Sequence, residues 1–421
     1  MAETKAYSQA AGSGRYNKAT GLLGKYDNVR RFWEDQLTGI MLRPHLNALT
    51  DLKRSRLQRL RIADLGCGSG DGYDLVMGVN REEPGIYDFI TAAITPEALQ
   101  EYVGYDINQD LLDQAREYHG ANDKIRLLPA DFSHGLPVLE EEEPFDIYMS
   151  SYGTMSHFTN EQLVRIFADV CRHGKNGSLL IGDWLGRYSY EWQDLWHHPP
   201  NEEFFMDYRI SYIYPEGERD RDDIASFDLR LMTREECLEI LEQVYKETGY
   251  RLKPLGFFDR SIFVGRHLAT GDYNRNTPRD LRTQTNSLFE GYTRTDLSTL
   301  LVDYVPRQGF GHLNNFYENF FMCCNTLVEH TIALLRSYSC RQGTLCQAPP
   351  EVPPYYPEPL KKAIHTMKAV IEGSGWLDWG DPRANIIEPH LGYSLRKLEM
   401  DLQPGMGVGH SLVGVFEVEK E

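Results

Sequence analysis

The stretch Arg61-Ile-Ala-Asp-Leu-Gly-Cys-Gly-Ser-Gly-Asp-Gly72 constrains the fold more than any other part of this chain: an apolar run, an acid, then glycines at 66, 68, 70 and 72. A short apolar run that ends in turn residues reads as a buried strand. Alternating glycines after it remove the side chains between backbone and ligand, so the N–H groups of the turn can press against a bound group at the start of a helix. This is a nucleotide-type cradle in an α/β sheet. A dinucleotide turn reads G-x-G-x-x-G beneath a pyrophosphate, whereas the spacing here is G-x-G-x-G-x-G with Asp64 two residues before the first glycine. A carboxylate at that point repels a pyrophosphate and suits a ligand carrying an ammonium or sulfonium cation.

Asp64-Leu-Gly-Cys-Gly-Ser-Gly70 resembles the first motif of the class I S-adenosylmethionine-dependent methyltransferases, and two further stations follow in that family's order. Glu101-Tyr-Val-Gly-Tyr-Asp-Ile107 reads as a second strand ending in an acid, before a helix over Asn108 to Tyr118; Ile125-Arg-Leu-Leu-Pro-Ala-Asp-Phe132 reads as a third strand. The resemblance implies that Asp106 accepts both ribose hydroxyls and that Asp131 takes the adenine amino group, with Phe132 as an apolar wall. It extends the cofactor site to Asp64, Gly66, Cys67, Gly68, Gly70, Ile107 and Ser150. Each acid also has a plain structural use: Asp106 as a helix N-cap, Asp131 at a turn. Asp64 and Asp106 lie 42 residues apart, against about 20 in a compact βαβ unit. The surplus, Asn80 to Pro96 with its Pro84-Gly85 and Thr95-Pro96, reads as an insertion.

The balance of 44 Lys+Arg against 62 Asp+Glu gives a net charge of −18, which repels nucleic acid on average. A small-molecule acceptor is the expectation. Seven scattered cysteines, none in C-x-x-C spacing, fit neither a disulfide framework nor a zinc cluster. With no signal pattern at the N-terminus and no apolar run of about 18 residues, a cytoplasmic protein without a membrane span is expected. A homodimer is left open.

Three regions are expected: a helical lead-in (1–60), the methyltransferase domain (61–268) with an aromatic insertion at 184–228, and a mainly helical C-terminal domain (269–421) that caps substrate or makes oligomers. The lead-in carries helical spacing from Lys25 to Leu52, interrupted at Arg43-Pro44. Its Tyr16, Tyr26 and Arg30 are candidates to enclose the methionine end of the cofactor. Strands are expected at 144–151 and 177–183, and a helix after Thr159. A closing antiparallel hairpin over 250–258 and 261–265 would complete the Rossmann-like, mostly parallel sheet of seven strands that the resemblance implies. Helices are expected over Asn314 to Tyr338 and Leu360 to Ile371, around the Pro-rich Gln347 to Pro359, with a last strand over 405–418.

In an open α/β sheet, ligands bind beyond the carboxyl ends of the strands where strand order reverses. The fourth strand tip carries Tyr152 and His157, and the fifth ends in Asp183. His157 is the candidate proton acceptor, being the one side chain of that segment that ordinarily titrates near neutrality; its bland alternative is a histidine satisfied at a helix start. Tyr152 and Asp183 are the other catalytic candidates. Trp184, Trp192, Phe205 and Tyr208 are candidate substrate walls. His197 and His198 are adjacent and point apart on a regular strand, so no metal is expected. The function implied is methyl transfer to a small molecule by SN2 displacement at the sulfonium. A protein acceptor, a non-catalytic cofactor-binding protein and a nicotinamide-dependent oxidoreductase are the alternatives.

Overall fold

The computed structural model describes residues 2–18, 22–83, 89–199, 202–215, 218, 224–266, 281–338, 348–374 and 380–420. Pro84-Gly85, the boundary at 268, Cys340, Cys346 and Gln347 lie outside the described residues. Ahead of the sheet come α1 (Ala2–Gly12), a π-helical turn (Arg30–Glu34) and α2 (Asp35–Ser55). Five parallel strands form the frame: β1 (Leu60–Leu65), β2 (Leu99–Asp106), β3 (Ile125–Pro129), β4 (Ile147–Met149) and β5 (Leu179–Gly186). Their order is β3-β2-β1-β4-β5, so the crevice opens between β1 and β4, where the order reverses. The helices between them are α3 (Asp71–Met77), α4 (Gln109–His119) and α5 (Asn160–His173).

Strand alternation divides the core into two layers. Ala63 and Leu65 of β1, Tyr148 of β4, and Leu180 and Trp184 of β5 face one layer, covered by α5 residues such as Leu163 and Phe167. Leu60, Ile62, Ile147, Met149, Leu179 and Ile181 face the other, covered by Leu37, Leu42 and Leu46 of α2. Burial on both faces is why these strands read as nearly continuous apolar runs. Thr159 and Gln162 form a reciprocal capping box at the start of α5, which fixes that helix end as the sequence signal indicated.

After β5 the chain forms β6 (Phe205–Arg209), β7 (Ser226–Met232), α6 (Arg234–Thr248) and β8 (Arg251–Arg260); then α7 (Leu281–Ser287), α8 (Gly311–Ser337), α9 (Glu358–Ser374), α10 (Glu388–Leu402) and β9 (Ser411–Glu419). The result is a mixed, mostly parallel α/β sheet with a helical C-terminal region. Its antiparallel closing pair differs from the expected hairpin. β8 pairs with β9, about 150 residues later, and β9 lies between β5 and β8, antiparallel to both. Residues 261–265 are not a strand: Ser261 takes a left-handed φ of 57°, and Ile262, Phe263 and Val264 turn into the core of the C-terminal helices. Asp259 fastens the returning chain by accepting the N–H groups of Met406, Gly407, Val408 and Gly409 at 2.8 to 3.3 Å.

Other departures are local. The lead-in helix is not interrupted at Pro44, which sits inside α2 and only withholds its N–H. β6 and β7 form an extra antiparallel pair whose β7 runs beside the tip of β5 at Leu185 and Gly186. Around the expected insertion, Asn80 bridges Ala92, so the chain leaves and returns at one place. Helices α7 and α10 have no counterpart in the sequence patterns, and α1 stands where the first dozen small, polar residues suggest a loose segment.

Candidate functional site

Beyond the C-terminal ends of β1, β4 and β5 lies a cavity of about 450 Å³, within the roughly 300–1,000 Å³ typical of single small-molecule sites. Gly66, Cys67 and Gly68 of the glycine loop, Asp106 and Ile107 after β2, Asp131 and Phe132 after β3, and Tyr152 and His157 after β4 all line it. Arg30, Tyr16 and Tyr208 complete the expected residues brought together there.

Four of the loop's amides bond within the protein. Gly66 and Cys67 donate to the Tyr105 carbonyl at 2.8 Å, Gly70 donates to Cys67 O at 2.9 Å, and Gly68 donates to Asp106 Oδ2 at 2.8 Å. The glycines serve close packing. Gly66 has φ 82°, and a Cβ there would lie 2.2 Å from Thr154 Cγ2, so the loop can touch the segment after β4 only without a side chain. Asp106 is thereby fixed from both sides, its Oδ1 also accepting Asn108 N at 2.8 Å. Each of its oxygens keeps a further lone pair. Burial raises its pKa, against those two backbone bonds.

Asp64 is fully buried beneath the loop rather than in the cavity. Tyr102 donates to it, and burial pushes its carboxyl up to about 7. Since the unfolded value is near 3.9, this group's contribution to stability is complete below about pH 4 and is lost as pH rises to about 7. Asp64→Asn should therefore gain on the wild type in melting temperature between pH 4.5 and 7, with no further gain above. An equal difference at pH 4.5 and pH 8 would contradict the assignment.

Beside the loop is a cationic corner that the sequence signalled only through Arg30. Lys25 donates to Ser69 Oγ at 2.9 Å and pairs with Asp71. Arg30 lies 3.4 Å from Asp71 and 2.9 Å from Asp35, yet its buried Nη1 makes no hydrogen bond. Tyr26 is in this corner as a donor to Asp71 and does not line the cavity. The Tyr152 ring lies 3.4 Å from the Arg30 guanidinium. Its hydroxyl donates to Asp35 at 2.9 Å and its N–H to Asp183 at 2.8 Å. Burial holds this phenol well above its ordinary pKa. Asp183 is itself buried against Arg260, at 2.8 Å, and so positions Tyr152 from behind.

His157 lies 3.2 Å from the Tyr7 hydroxyl of α1 and stacks on Phe227. A second imidazole, His410 just before β9, lines the same cavity with its Nδ1 2.8 Å from Glu191. The other wall candidates lie elsewhere. Trp184 packs on Phe167 in the core, Trp192 donates to Gly186 O at 3.0 Å in the hydrophobic cluster behind the wall, and neither they nor Gly70, Ser150 or Phe205 line the cavity. Lys25, Asp71, Tyr7, Tyr212, Arg266 and His410 do line it and were not singled out by the sequence; Asp71 stands within the glycine-rich stretch, and the other five belong to no motif.

Residues 89–177, from before β2 to the threshold of β5, match the family described as "Methyltransferase domain". That match shows a methyltransferase domain over about a fifth of the chain. The matched segment includes Asp106, Asp131, Tyr152 and His157 but not the glycine loop. Among solved structures, this methyltransferase is similar to an S-adenosylmethionine-dependent methyltransferase from Mesorhizobium loti (16% identity, TM-score 0.29, 47% of this chain and 76% of that one). It is also similar to one from Clostridium acetobutylicum (16%, 0.31, 52% and 83%) and to a glycopeptide N-methyltransferase complexed with S-adenosylmethionine (13%, 0.32, 50% and 79%). No curated protein matches the chain. The sequence resemblance to the class I family implies S-adenosylmethionine as the cofactor of such a domain. Among the described residues no helix is long and apolar enough to cross a membrane.

Proposed function

We propose that this methyltransferase acts on a small-molecule acceptor held inside the cavity. One observation carries the reading: a cavity of about 450 Å³ has Asp106 at the β2 tip, Lys25 and Arg30 beside the glycine loop, and a wall supplied by Tyr7, Tyr208 and Tyr212 from elements outside the frame. The donor set fits the cofactor. Asp106 offers a fixed carboxylate to the two ribose hydroxyls, Phe132 and Asp131 stand where the adenine would lie, and the unbonded Nη1 of Arg30 with Lys25 suits the methionine carboxylate. Gly66, Cys67, Gly68 and Ile107 shape the floor. Asp64 and Gly70 support the loop from below.

S-adenosylmethionine bound there would supply a methyl group activated by its sulfonium for transfer to the acceptor. The protein's tasks are then to align the acceptor and exclude water. Tyr7, through α1, and Tyr208 and Tyr212, through the segment after β5, close the space over the site. His157 would take a proton from an acceptor that begins protonated.

Asp106→Ala is expected to raise the dissociation constant for S-adenosylhomocysteine tenfold or more, about 1.4 kcal/mol or above. Isothermal titration checks this, and an unchanged constant removes Asp106 from the site. For the acceptor, deuteromethyl cofactor is incubated with the enzyme and a cell extract split by ultrafiltration. Label in the low-mass fraction is the expected result; label confined to protein would overturn the small-acceptor reading.

A further inference from the structure

We propose that the methyl acceptor carries a carboxylate and that Arg266 receives it, a proposal that rests on the cofactor reading above. Among the described residues, Lys25, Arg30 and Arg266 are the lysines and arginines that line the cavity. The first two are tied to the glycine-loop side through Ser69 and Asp71, where one carboxylate, that of the cofactor, serves both. Arg266 comes from a different wall, after β8, and is 6% exposed.

Arg266 is held but not satisfied. Its Nη2 donates to the Tyr212 hydroxyl at 3.1 Å, and its guanidinium carbon lies 4.5 Å from that ring. Its counter-charge is Glu34, whose Oε2 lies 3.8 Å from Nη1, beyond hydrogen-bond reach, and makes no hydrogen bond of its own; Arg282 at 3.0 Å and Ser261 at 2.9 Å engage Oε1 instead. The Nε of Arg266 is buried without a hydrogen bond. Leaving a donor of a permanently charged group unmade is costly, and the Arg266 guanidinium lines the cavity with Tyr212 as its one side-chain hydrogen-bond partner among the described residues. The cofactor has one carboxylate. An acceptor carboxylate in the cavity would meet the Arg266 guanidinium, whose fork matches a planar carboxylate with two parallel bonds. A single guanidinium beside Tyr212 suits one small monoanion better than a phosphate, which would bring more charge than one guanidinium can neutralise.

The test uses the full-length enzyme, deuteromethyl cofactor and a deproteinised metabolite extract, either untreated or esterified with acidic methanol, which caps carboxylates and spares phosphates. Transfer in the untreated extract that falls at least tenfold after esterification is the expected result. Equal transfer in both, or none in either while S-adenosylhomocysteine still binds, overturns the proposal. Failure of the wild type to bind S-adenosylhomocysteine at all would instead sink the underlying cofactor reading. With the acceptor so identified, Arg266→Gln should raise its KM at least tenfold, Arg266→Lys should recover part of that, and the S-adenosylhomocysteine constant should change less than threefold. A loss of S-adenosylhomocysteine affinity with acceptor KM unchanged would assign Arg266 to the cofactor and refute the idea.

Discussion

Ending the chain at Gln403 should leave no cooperatively folded protein and no binding of S-adenosylhomocysteine. β9 would be lost from between β5 and β8, where Leu179 to Leu185 pair with one of its edges and Arg251 to Arg260 with the other. Five of its side chains, Leu412, Val413, Val415, Phe416 and Val418, are at most 2% exposed. At roughly 1.5–3 kcal/mol for each such side chain, their burial contributes about 8–15 kcal/mol, as much as the whole stability of a typical domain. Asp259 would also lose four backbone donors while remaining buried. Circular dichroism and a thermal scan check this. A sharp melt in the shortened chain would show that the C-terminal region is an appendage after all.

Arg282→Ala is expected to cost about 3–5 kcal/mol, because it removes one partner from a buried ionic cluster and leaves the others charged. The Arg282 side chain grips Asp27 through Nε at 2.6 Å and Nη2 at 2.7 Å, and reaches Glu34 at 3.0 Å, all three side chains being at most 3% exposed. Burial favours a neutral Glu34, yet Arg266 and Arg282 hold its carboxyl well below the ordinary range. Asp27 and Glu34 flank Arg30 and lie close to Lys25 in sequence, so the variant should also weaken S-adenosylhomocysteine binding. Urea midpoints measure the first effect and titration calorimetry the second. Arg282→Lys, which keeps the charge but not the two-nitrogen fork, should recover part of the loss; a change below 1 kcal/mol in Arg282→Ala would refute the account of this cluster.

The frame of the sheet was legible because β1, β2 and β5 are buried on both faces, and because Asp64, Asp106 and Asp131 end consecutive strand–helix units. The partner of β8 was not. Leu412 to Val418 alternates like a strand, but alternation carries no address, and the apolar Ile262-Phe-Val264 run next to β8 was the nearer candidate for the pairing. Trp184 illustrates a different limit: period two in β5 puts it on the same face as Leu180, opposite Asp183, so the residue after the strand-tip acid belonged to the core. Lys25, Arg266 and His410 had no local signal at all. They converge on the cavity from the lead-in, from the end of β8 and from the start of β9, a meeting that depends on tertiary structure alone.

A crystal structure of the full chain with S-adenosylhomocysteine tests the central claim most directly. The account predicts one molecule in the cavity, its ribose hydroxyls on Asp106, its adenine beside Phe132 and Asp131, and its carboxylate at Lys25 and Arg30, with the sulfur facing the space before Arg266. Density for the compound at any other place, or a cavity that stays empty at saturating concentration, would contradict it.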